Sequence, residues 1–126
     1  MEHKKNFLLA ILWTLAIAAA CLISMDKVPT VPVFGKDKTI HSFFYLVFSI
    51  LWFLFLSKEF PKWTFIQKAL VVLVSSFLYG GIIEICQGLF TTSRQADLLD
   101  VLANMSGSVI AVIALFLITR LKKLSA

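Results

Sequence analysis

Four long apolar runs divide the chain, and a short polar stretch separates each run from the next. The runs are Phe7–Ser24, Ile40–Leu56, Ala69–Phe90 and Leu98–Ile118. Each is close to the length that an α-helix needs to cross about 30 Å of hydrocarbon. None alternates apolar and polar residues with a period of two, as a transmembrane β-strand would. The pattern therefore predicts an all-α, polytopic membrane protein with four transmembrane helices in a compact bundle.

The composition agrees with a membrane protein built as one domain. Of the 126 residues, 60% are hydrophobic and only 15% are charged. A soluble domain of this size could not bury so much apolar surface. The three prolines and five glycines leave no room for a flexible linker, so a single domain over residues 1–126 is expected. In such a protein the net charge of +5 relates to orientation and anionic lipid, and no nucleic-acid partner is expected.

Lysines and arginines are unevenly distributed among the polar stretches. The N-terminus, the second loop and the C-terminus together hold eight, whereas the first and third loops hold four. Because cytoplasmic loops are enriched in these residues, the distribution predicts a multi-pass protein of the cytoplasmic membrane with both termini inside. The first run could instead be a signal peptide, and residues 17–21 faintly resemble a lipoprotein cleavage site. Its uninterrupted length favours a retained anchor.

The cysteines and tryptophans suggest no special chemistry. Cys21 and Cys86 lie in apolar runs without metal-ligand spacing, so both are expected to be small buried hydrophobic residues rather than a disulfide. Trp13, Trp52 and Trp63 are expected to face lipid or to anchor the protein at the membrane interface.

The chemically distinctive residues all fall in the half of the predicted bundle opposite the termini. They are Asp37, Lys38, His41 and Tyr45 around the start of the second run, Glu84 and Gln87 near the end of the third, and Arg94, Asp97, Asp100 and Asn104 in the third loop and the fourth run. Within each group the residues recur at steps of three or four, so each group forms one stripe along a helix. Three stripes at one membrane depth can meet. We therefore predict one ligand-binding site that faces away from the cytoplasm.

Glu84 is the strongest single indication of such a site. It lies roughly 9 Å below the end of its run, at 1.5 Å per residue. An acidic side chain deep in a bilayer costs about 2.5–3.5 kcal/mol, so it should face the bundle and find a partner. The candidate partners are Arg94, Lys38 and His41. Glu84 could instead stay protonated, because desolvation raises the pKa of a carboxyl group.

The other polar residues each have a simpler structural explanation. Asp97 could cap the fourth helix, and Asp100 could favour its first turn through the helix dipole. Asn104 could hydrogen-bond between helices, and Arg94 could pair with an aspartate. The convergence of ten such residues on one face favours a site.

From residue 37 onward, three motifs follow one another in a fixed order. They are Asp37-Lys38-x-x-His41-x-x-x-Tyr45, Gly81-x-x-Glu84-x-x-Gln87 and Arg94-x-x-Asp97-x-x-Asp100-x-x-x-Asn104-x-x-Gly107. Their order and spacing resemble the VanZ-like family of small integral membrane proteins, over roughly residues 37–110. Residues 91–93 lack the proline often found before the arginine. The resemblance implies a cell-envelope membrane protein. The link of the family's namesake to teicoplanin resistance adds antibiotic resistance as an expected role.

Three functions remain open at this point. The first is binding or modulation of an envelope component, such as a lipid headgroup, a lipid-linked wall intermediate or a glycopeptide, with Lys38 and Arg94 contacting an anionic group. The second is an enzyme acting on a lipid-linked envelope substrate. Glu84 or Asp100 would be its general base and His41 an acid or base, and Arg94 would stabilise an oxyanion. The third is a small transporter or proton-coupled subunit.

The enzyme alternative is weakened because the sequence contains no zinc-protease motif, no nucleophile elbow and no phosphate loop. No cofactor is expected. A metal held by His41, Glu84 and Asp100 is an open alternative, weakened by the single well-placed histidine. The expected partners are membrane lipid and a polar or anionic envelope ligand.

Overall fold

The computed structural model describes residues 1–23, 36–90 and 96–126, with side chains from residue 38 in the second range. Four helices account for nearly all of these residues. They are α1 (Glu2–Leu22), α2 (Lys36–Glu59), α3 (Phe65–Phe90) and α4 (Leu98–Ser125). All four are long and apolar enough to cross a membrane. The predicted all-α architecture with four spans is confirmed, and the orientation with both termini inside stays a prediction.

The helices extend beyond the apolar runs at their polar ends. α1 begins at Glu2, and α4 continues to Ser125. Charged side chains near a helix end can reach the membrane interface, so a helix continues through lysines that end an apolar run. The first run ends early instead. Ile23 has extended backbone with φ −71° and ψ 123°, so α1 stops at Leu22, and Ser24 lies outside the described residues.

α2 is the central helix of the bundle. It packs against α1, α3 and α4, and its most extensive contact is with α4. Consecutive helices run in opposite directions. Glu2 at the start of α1 pairs with Lys58 at the end of α2, and Phe53 late in α2 packs on Phe65 at the start of α3. Phe65 also packs on Phe116 late in α4, whereas Gly88 near the end of α3 lies beside Ala96 just before α4. α2 and α4 are therefore parallel, and both begin at the end of the bundle opposite the chain termini.

The bundle is apolar outside, and its interior contains polar as well as apolar side chains. Large apolar side chains such as Leu15, Ile66 and Leu89 are more than half exposed, as suits a surface in contact with lipid. The buried polar side chains are His41, Ser49, Ser76, Glu84, Gln87, Asp100, Asn104 and Ser108. In hydrocarbon a polar group must find its partner within the protein, so the interior is where these residues belong.

Two tryptophans fasten α1 to α2. The indole N–H of Trp13 donates to the carbonyl oxygen of Phe44 at 2.9 Å, and that of Trp52 donates to Thr14 Oγ1 at 3.1 Å. Both rings are half-buried between helices. The prediction that they face lipid is therefore wrong, because an indole N–H within hydrocarbon needs the partner that a neighbouring helix supplies.

The two cysteines differ in their surroundings. Cys21 is buried in the core, as predicted, whereas Cys86 is only half-buried. Both are free thiols in the structure. The prediction of burial is wrong for Cys86 because its place on α3 turns away from the packed face that holds Glu84 and Gln87.

Candidate functional site

The polar stripes of α2, α3 and α4 meet around His41, whose side chain is 2% exposed. His41 Nδ1 lies 3.1 Å from Asn104 Oδ1 and 3.9 Å from Glu84 Oε1. Its Nε2 lies 3.8 Å from Asp100 Oδ2. One residue of α2 therefore faces two carboxylates and an amide from the neighbouring helices.

The described members of this group are called the His41 cluster below. They are Lys38, His41, Glu84, Asp97, Asp100 and Asn104.

Glu84 contributes one satisfied and one unsatisfied oxygen to the cluster. Its Oε2 accepts a hydrogen bond from the backbone N–H of Asp97 at 3.2 Å. Its Oε1 is buried and has no hydrogen-bond partner. Of the three predicted partners, His41 is the one that lies near this oxygen, Lys38 pairs with aspartates instead, and Arg94 lies outside the described residues.

Lys38 joins the beginnings of α2 and α4. Its ammonium donates to Asp97 Oδ2 at 3.0 Å and to Asp100 Oδ1 at 2.8 Å. The hydrogen bond from Lys38 holds the pKa of the Asp97 carboxyl below its ordinary value. Asp100 is nearly buried, so its ion pair is shielded from water and from salt more than the pair with Asp97 is.

Asp97 and Asp100 also do what a helix start requires. Asp97 is the N-cap of α4, and its Oδ1 accepts from the backbone N–H of Leu99 at 2.9 Å. Asp100 lies in the first turn, where a negative charge favours the helix dipole. The prediction that Asp97 caps the fourth helix and that Asp100 lies in its first turn is therefore confirmed. The same two carboxylates also bind Lys38.

Gln87 and Tyr45 occupy the edges of this region. Gln87 Nε2 donates to the carbonyl oxygen of Cys21 at 2.8 Å, which ties α3 to the end of α1. Tyr45 is fully buried, and its hydroxyl has no hydrogen-bond partner. The side chain of Asp37 and all of Arg94 lie outside the described residues, so their predicted place in the site is not addressed.

Gly80 brings Tyr45 and Asn104 close to the backbone of α3. A Cβ at position 80 would lie 2.9 Å from Asn104 Nδ2 and 3.6 Å from the Tyr45 ring. After Glu84 Oε1 and the Tyr45 hydroxyl, Asn104 Nδ2 is a third buried polar atom here without a hydrogen-bond partner. The absence of a side chain at Gly80 therefore leaves room for the amide that contacts His41.

A groove of about 420 Å³ runs between α2 and α4 on the surface beside the cluster. Lys38 lines one end of this α2–α4 groove, and Phe43 and Leu46 line it farther along. The hydroxyls of Ser42 and Ser106 lie 3.3 Å apart within it. Its lining thus changes from cationic through polar to apolar as α2 proceeds.

The sequence prediction did not include Ser106 as a site residue. A signal was present, since Ser106, Gly107 and Ser108 form a run of small residues inside an apolar helix. Such runs indicate close helix contact in membranes. They do not by themselves predict a groove.

Comparison with known proteins places the chain in a family. The sequence profile of VanZ/LLP1 matches residues 33–119, more than half of the chain. The chain belongs to the VanZ/LLP1 family. The matched range contains α2, α3, most of α4 and all ten predicted site residues, whereas α1 lies outside it. No curated protein and no solved structure is significantly similar to the chain. The predicted resemblance to the VanZ-like family is thus confirmed.

Proposed function

We propose that this VanZ/LLP1 protein binds the phosphate-bearing headgroup of an envelope lipid or lipid-linked wall intermediate in the α2–α4 groove. The observation that carries the proposal is the position of Lys38. Its ammonium lies where the groove begins, and the walls beyond it become apolar. An amphiphile with an anionic head and a hydrocarbon tail matches that order of surfaces.

Lys38 has donor capacity left for such a headgroup. An ammonium carries three N–H donors, and two of them are directed at Asp97 and Asp100. The side chain is 38% exposed, so the third donor can reach a ligand. The aspartates fix the ammonium in place, which reduces the entropy lost when a ligand binds.

The serine hydroxyls and the apolar walls suit the rest of the molecule. The hydroxyl of Ser42 can donate to an ester or phosphate oxygen next to the headgroup, whereas that of Ser106 donates to the carbonyl oxygen of Ala103. Phe43 is 56% exposed, and with Leu46 it offers a surface against which an acyl or isoprenoid chain can lie. The proposed orientation, with both termini in the cytoplasm, puts this headgroup site at the outer interface of the cytoplasmic membrane.

Glycopeptide resistance is the phenotype that this binding would produce. A protein that holds a lipid-linked wall intermediate would change its availability to a glycopeptide such as teicoplanin. Membership of the VanZ/LLP1 family supports a role in glycopeptide resistance.

Native mass spectrometry of the purified protein tests the binding. The detergent-solubilised protein is titrated with phosphatidylglycerol and with undecaprenyl phosphate, and diacylglycerol and undecaprenol serve as matched ligands without phosphate. We expect the phosphate-bearing members of each pair to bind about tenfold more tightly, since a charge-assisted hydrogen bond is lost without the phosphate. Tighter binding of phosphatidylglycerol or of undecaprenyl phosphate shows whether the headgroup comes from a membrane phospholipid or from a wall-precursor carrier.

Two variants assign that preference to the groove. Lys38→Met should abolish the difference between the lipids of each pair, and Ser106→Phe should weaken binding of all of them by filling the groove. Lys123→Met, at the opposite end of the bundle, is the matched control and should bind like wild type. Equal binding by wild type, Lys38→Met and Ser106→Phe would overturn the proposal.

A second candidate is an enzyme that acts on a lipid-linked substrate. The position of the His41 imidazole between Glu84 and Asp100, at 3.9 Å and 3.8 Å, favours it, because acid–base catalysis uses a base that is oriented by carboxylates. Incubation of the protein with undecaprenyl diphosphate-linked precursors, followed by mass spectrometry, tests this candidate. A product that wild type forms and Glu84→Gln does not form would support catalysis, whereas unchanged precursors would exclude it for these substrates.

A further inference from the structure

His41, Glu84 and Asp100 offer three ligand atoms, one from each residue, that all lie within 4.8 Å of one another. The contacts of His41 with the two carboxylates, at 3.9 Å and 3.8 Å, are too long for hydrogen bonds. Two atoms that bind one ion at about 2.1 Å in tetrahedral geometry are about 3.4 Å apart. The two distances involve different ring nitrogens of His41, and the bound of 4.8 Å for one atom from each residue is longer than about 3.4 Å, so the three side chains would close in around a bound ion.

A second layer of contacts holds each of the three side chains in place. Asn104 Oδ1 lies within hydrogen-bond distance of His41 Nδ1 and accepts a hydrogen bond when that nitrogen is protonated. Lys38 Nζ donates to Asp100 Oδ1. The backbone N–H of Asp97 donates to Glu84 Oε2. In each carboxylate one oxygen is thus engaged from behind, and the other faces the imidazole. Metal sites are commonly built this way, because outer contacts orient the ligands.

Glu84 Oε1 provides an independent indication that a group is bound here. Glu84 is 3% exposed, and Oε1 faces His41 without any hydrogen-bond partner. A buried acceptor left unsatisfied costs about 1–3 kcal/mol, and more when it is charged. A cation in the space between Glu84 Oε1 and the other two ligand atoms would remove that cost.

The charge of the cluster points in the same direction. Its described side chains include three carboxylates, from Glu84, Asp97 and Asp100, and one ammonium, from Lys38. Glu84 and Asp100 are buried, whereas Asp97 and Lys38 are partly exposed. Two buried carboxylates are unfavourable in a membrane bundle and attract a cation. One imidazole with two carboxylates is a mixed nitrogen and oxygen donor set, which suits Zn²⁺ or Mn²⁺ better than the all-oxygen preference of Ca²⁺.

From these observations we propose that His41, Glu84 and Asp100 bind one divalent transition-metal ion between α2, α3 and α4. The sequence left a metal at these three residues as an alternative, weakened by the single histidine, and their geometry in the bundle now favours it. Metal binding uses side chains that do not line the α2–α4 groove, so the two sites are distinct. Lys38 connects them, because it lines the end of the groove and donates to Asp100.

Metal content of the purified, tag-free protein tests the proposal. The protein in detergent is stripped with EDTA, loaded with excess Zn²⁺ or Mn²⁺, desalted and analysed by inductively coupled plasma mass spectrometry. We expect about one ion per chain for Zn²⁺ and a lower occupancy for Mn²⁺, as the general affinity order dictates. Glu84→Gln and Asp100→Asn, which keep the side-chain shape, should lose at least tenfold in Zn²⁺ affinity.

His3→Ala and Glu59→Gln are matched controls, because they remove the other histidine and an acid at the opposite end of the bundle. Both should retain Zn²⁺ like wild type. A variant that is monodisperse in gel filtration but has lost Zn²⁺ supports the site. Less than about a tenth of an ion per wild-type chain for both metals would overturn the proposal. Equal retention by Glu84→Gln, Asp100→Asn and wild type would also overturn it.

Lipid titration of the EDTA-stripped protein is carried out in parallel. It shows separately whether the proposed headgroup binding holds.

Discussion

Gly107 of α4 lies directly against the backbone of Ser42 in α2. A Cβ at position 107 would overlap the Ser42 carbonyl oxygen and would lie 2.8 Å from its carbonyl carbon. Because the obstacle is backbone, no change of rotamer could relieve it. This contact sets the separation of the two parallel helices that carry His41, Asn104 and the groove.

Gly107→Ala is therefore expected to force α2 and α4 apart. The cost should be about 1–3 kcal/mol in unfolding free energy, as for other overpacked interiors. Gly81→Ala is the matched control, since a Cβ at position 81 meets nothing within 4 Å. It should be neutral, or stabilising by about 0.5–1 kcal/mol because alanine favours a helix. Thermal unfolding in detergent, followed by circular dichroism, measures both, and equal midpoints would contradict the packing at Gly107.

Gly80→Ala should act on the orientation of a side chain rather than on the fold. The new Cβ would lie 2.9 Å from Asn104 Nδ2, so the amide that contacts His41 must turn or shift. Loss of such an outer contact typically lowers metal affinity 10–100-fold, and we expect about a tenfold loss for Zn²⁺. Isothermal titration of the stripped protein measures it. Unchanged affinity in Gly80→Ala, with Gly81→Ala as the control, would show that Asn104 does not orient His41.

Tyr45 and Tyr79 allow a matched comparison of two hydroxyls. The Tyr45 hydroxyl is buried without a partner, whereas that of Tyr79 donates to the carbonyl oxygen of Thr14 at 2.5 Å. Tyr45→Phe should therefore raise the unfolding free energy of the ligand-free protein by about 1 kcal/mol, and Tyr79→Phe should lower it by about 0.5–1.5 kcal/mol. The thermal midpoints of the two variants test this. A loss of stability in Tyr45→Phe would mean that its hydroxyl has a partner in the folded protein.

The four helices and most of the His41 cluster could be predicted from the sequence, because a membrane restricts where polar side chains can lie. Buried acids are costly in lipid, so Glu84 and Asp100 had to face the interior, and steps of three and four brought His41 and Asn104 to the same faces. The helix ends were less predictable. Snorkelling lysines extend α1 and α4 past the apolar runs that mark them.

The pairing within the cluster could not be obtained from spacing alone. Lys38 binds Asp97 and Asp100 rather than Glu84, because α2 and α4 are parallel neighbours that begin at the same level. Helical periodicity gives the face on which a residue lies, but it does not give the neighbouring helix or its register. The close contact at Gly107 and the α2–α4 groove depend on that register, so only the structure shows them.

The orientation of the bundle predicts which loops are accessible from outside. Single cysteines are placed at Ala96 and at Lys62 in a chain that carries Cys21→Ala and Cys86→Ala. A membrane-impermeant maleimide applied to intact cells should label position 96 and leave position 62 unlabelled, because lysine-rich loops stay in the cytoplasm. Labelling of 62 but not of 96 would place the His41 cluster on the cytoplasmic side and contradict a site for outward-facing ligands.

The proposed functions require that the polar residues around His41 act on an envelope component and do not merely hold helices together. The most direct test is the profile of envelope lipids and wall precursors, measured by mass spectrometry in a deletion strain and after complementation. Glu84→Gln removes the carboxylate with little change in shape, and Glu59→Gln is the control, with membrane abundance matched by immunoblot. We predict that deletion alters at least one envelope species, that wild type and Glu59→Gln restore it, and that Glu84→Gln does not. Full restoration by Glu84→Gln at equal abundance would contradict the claim.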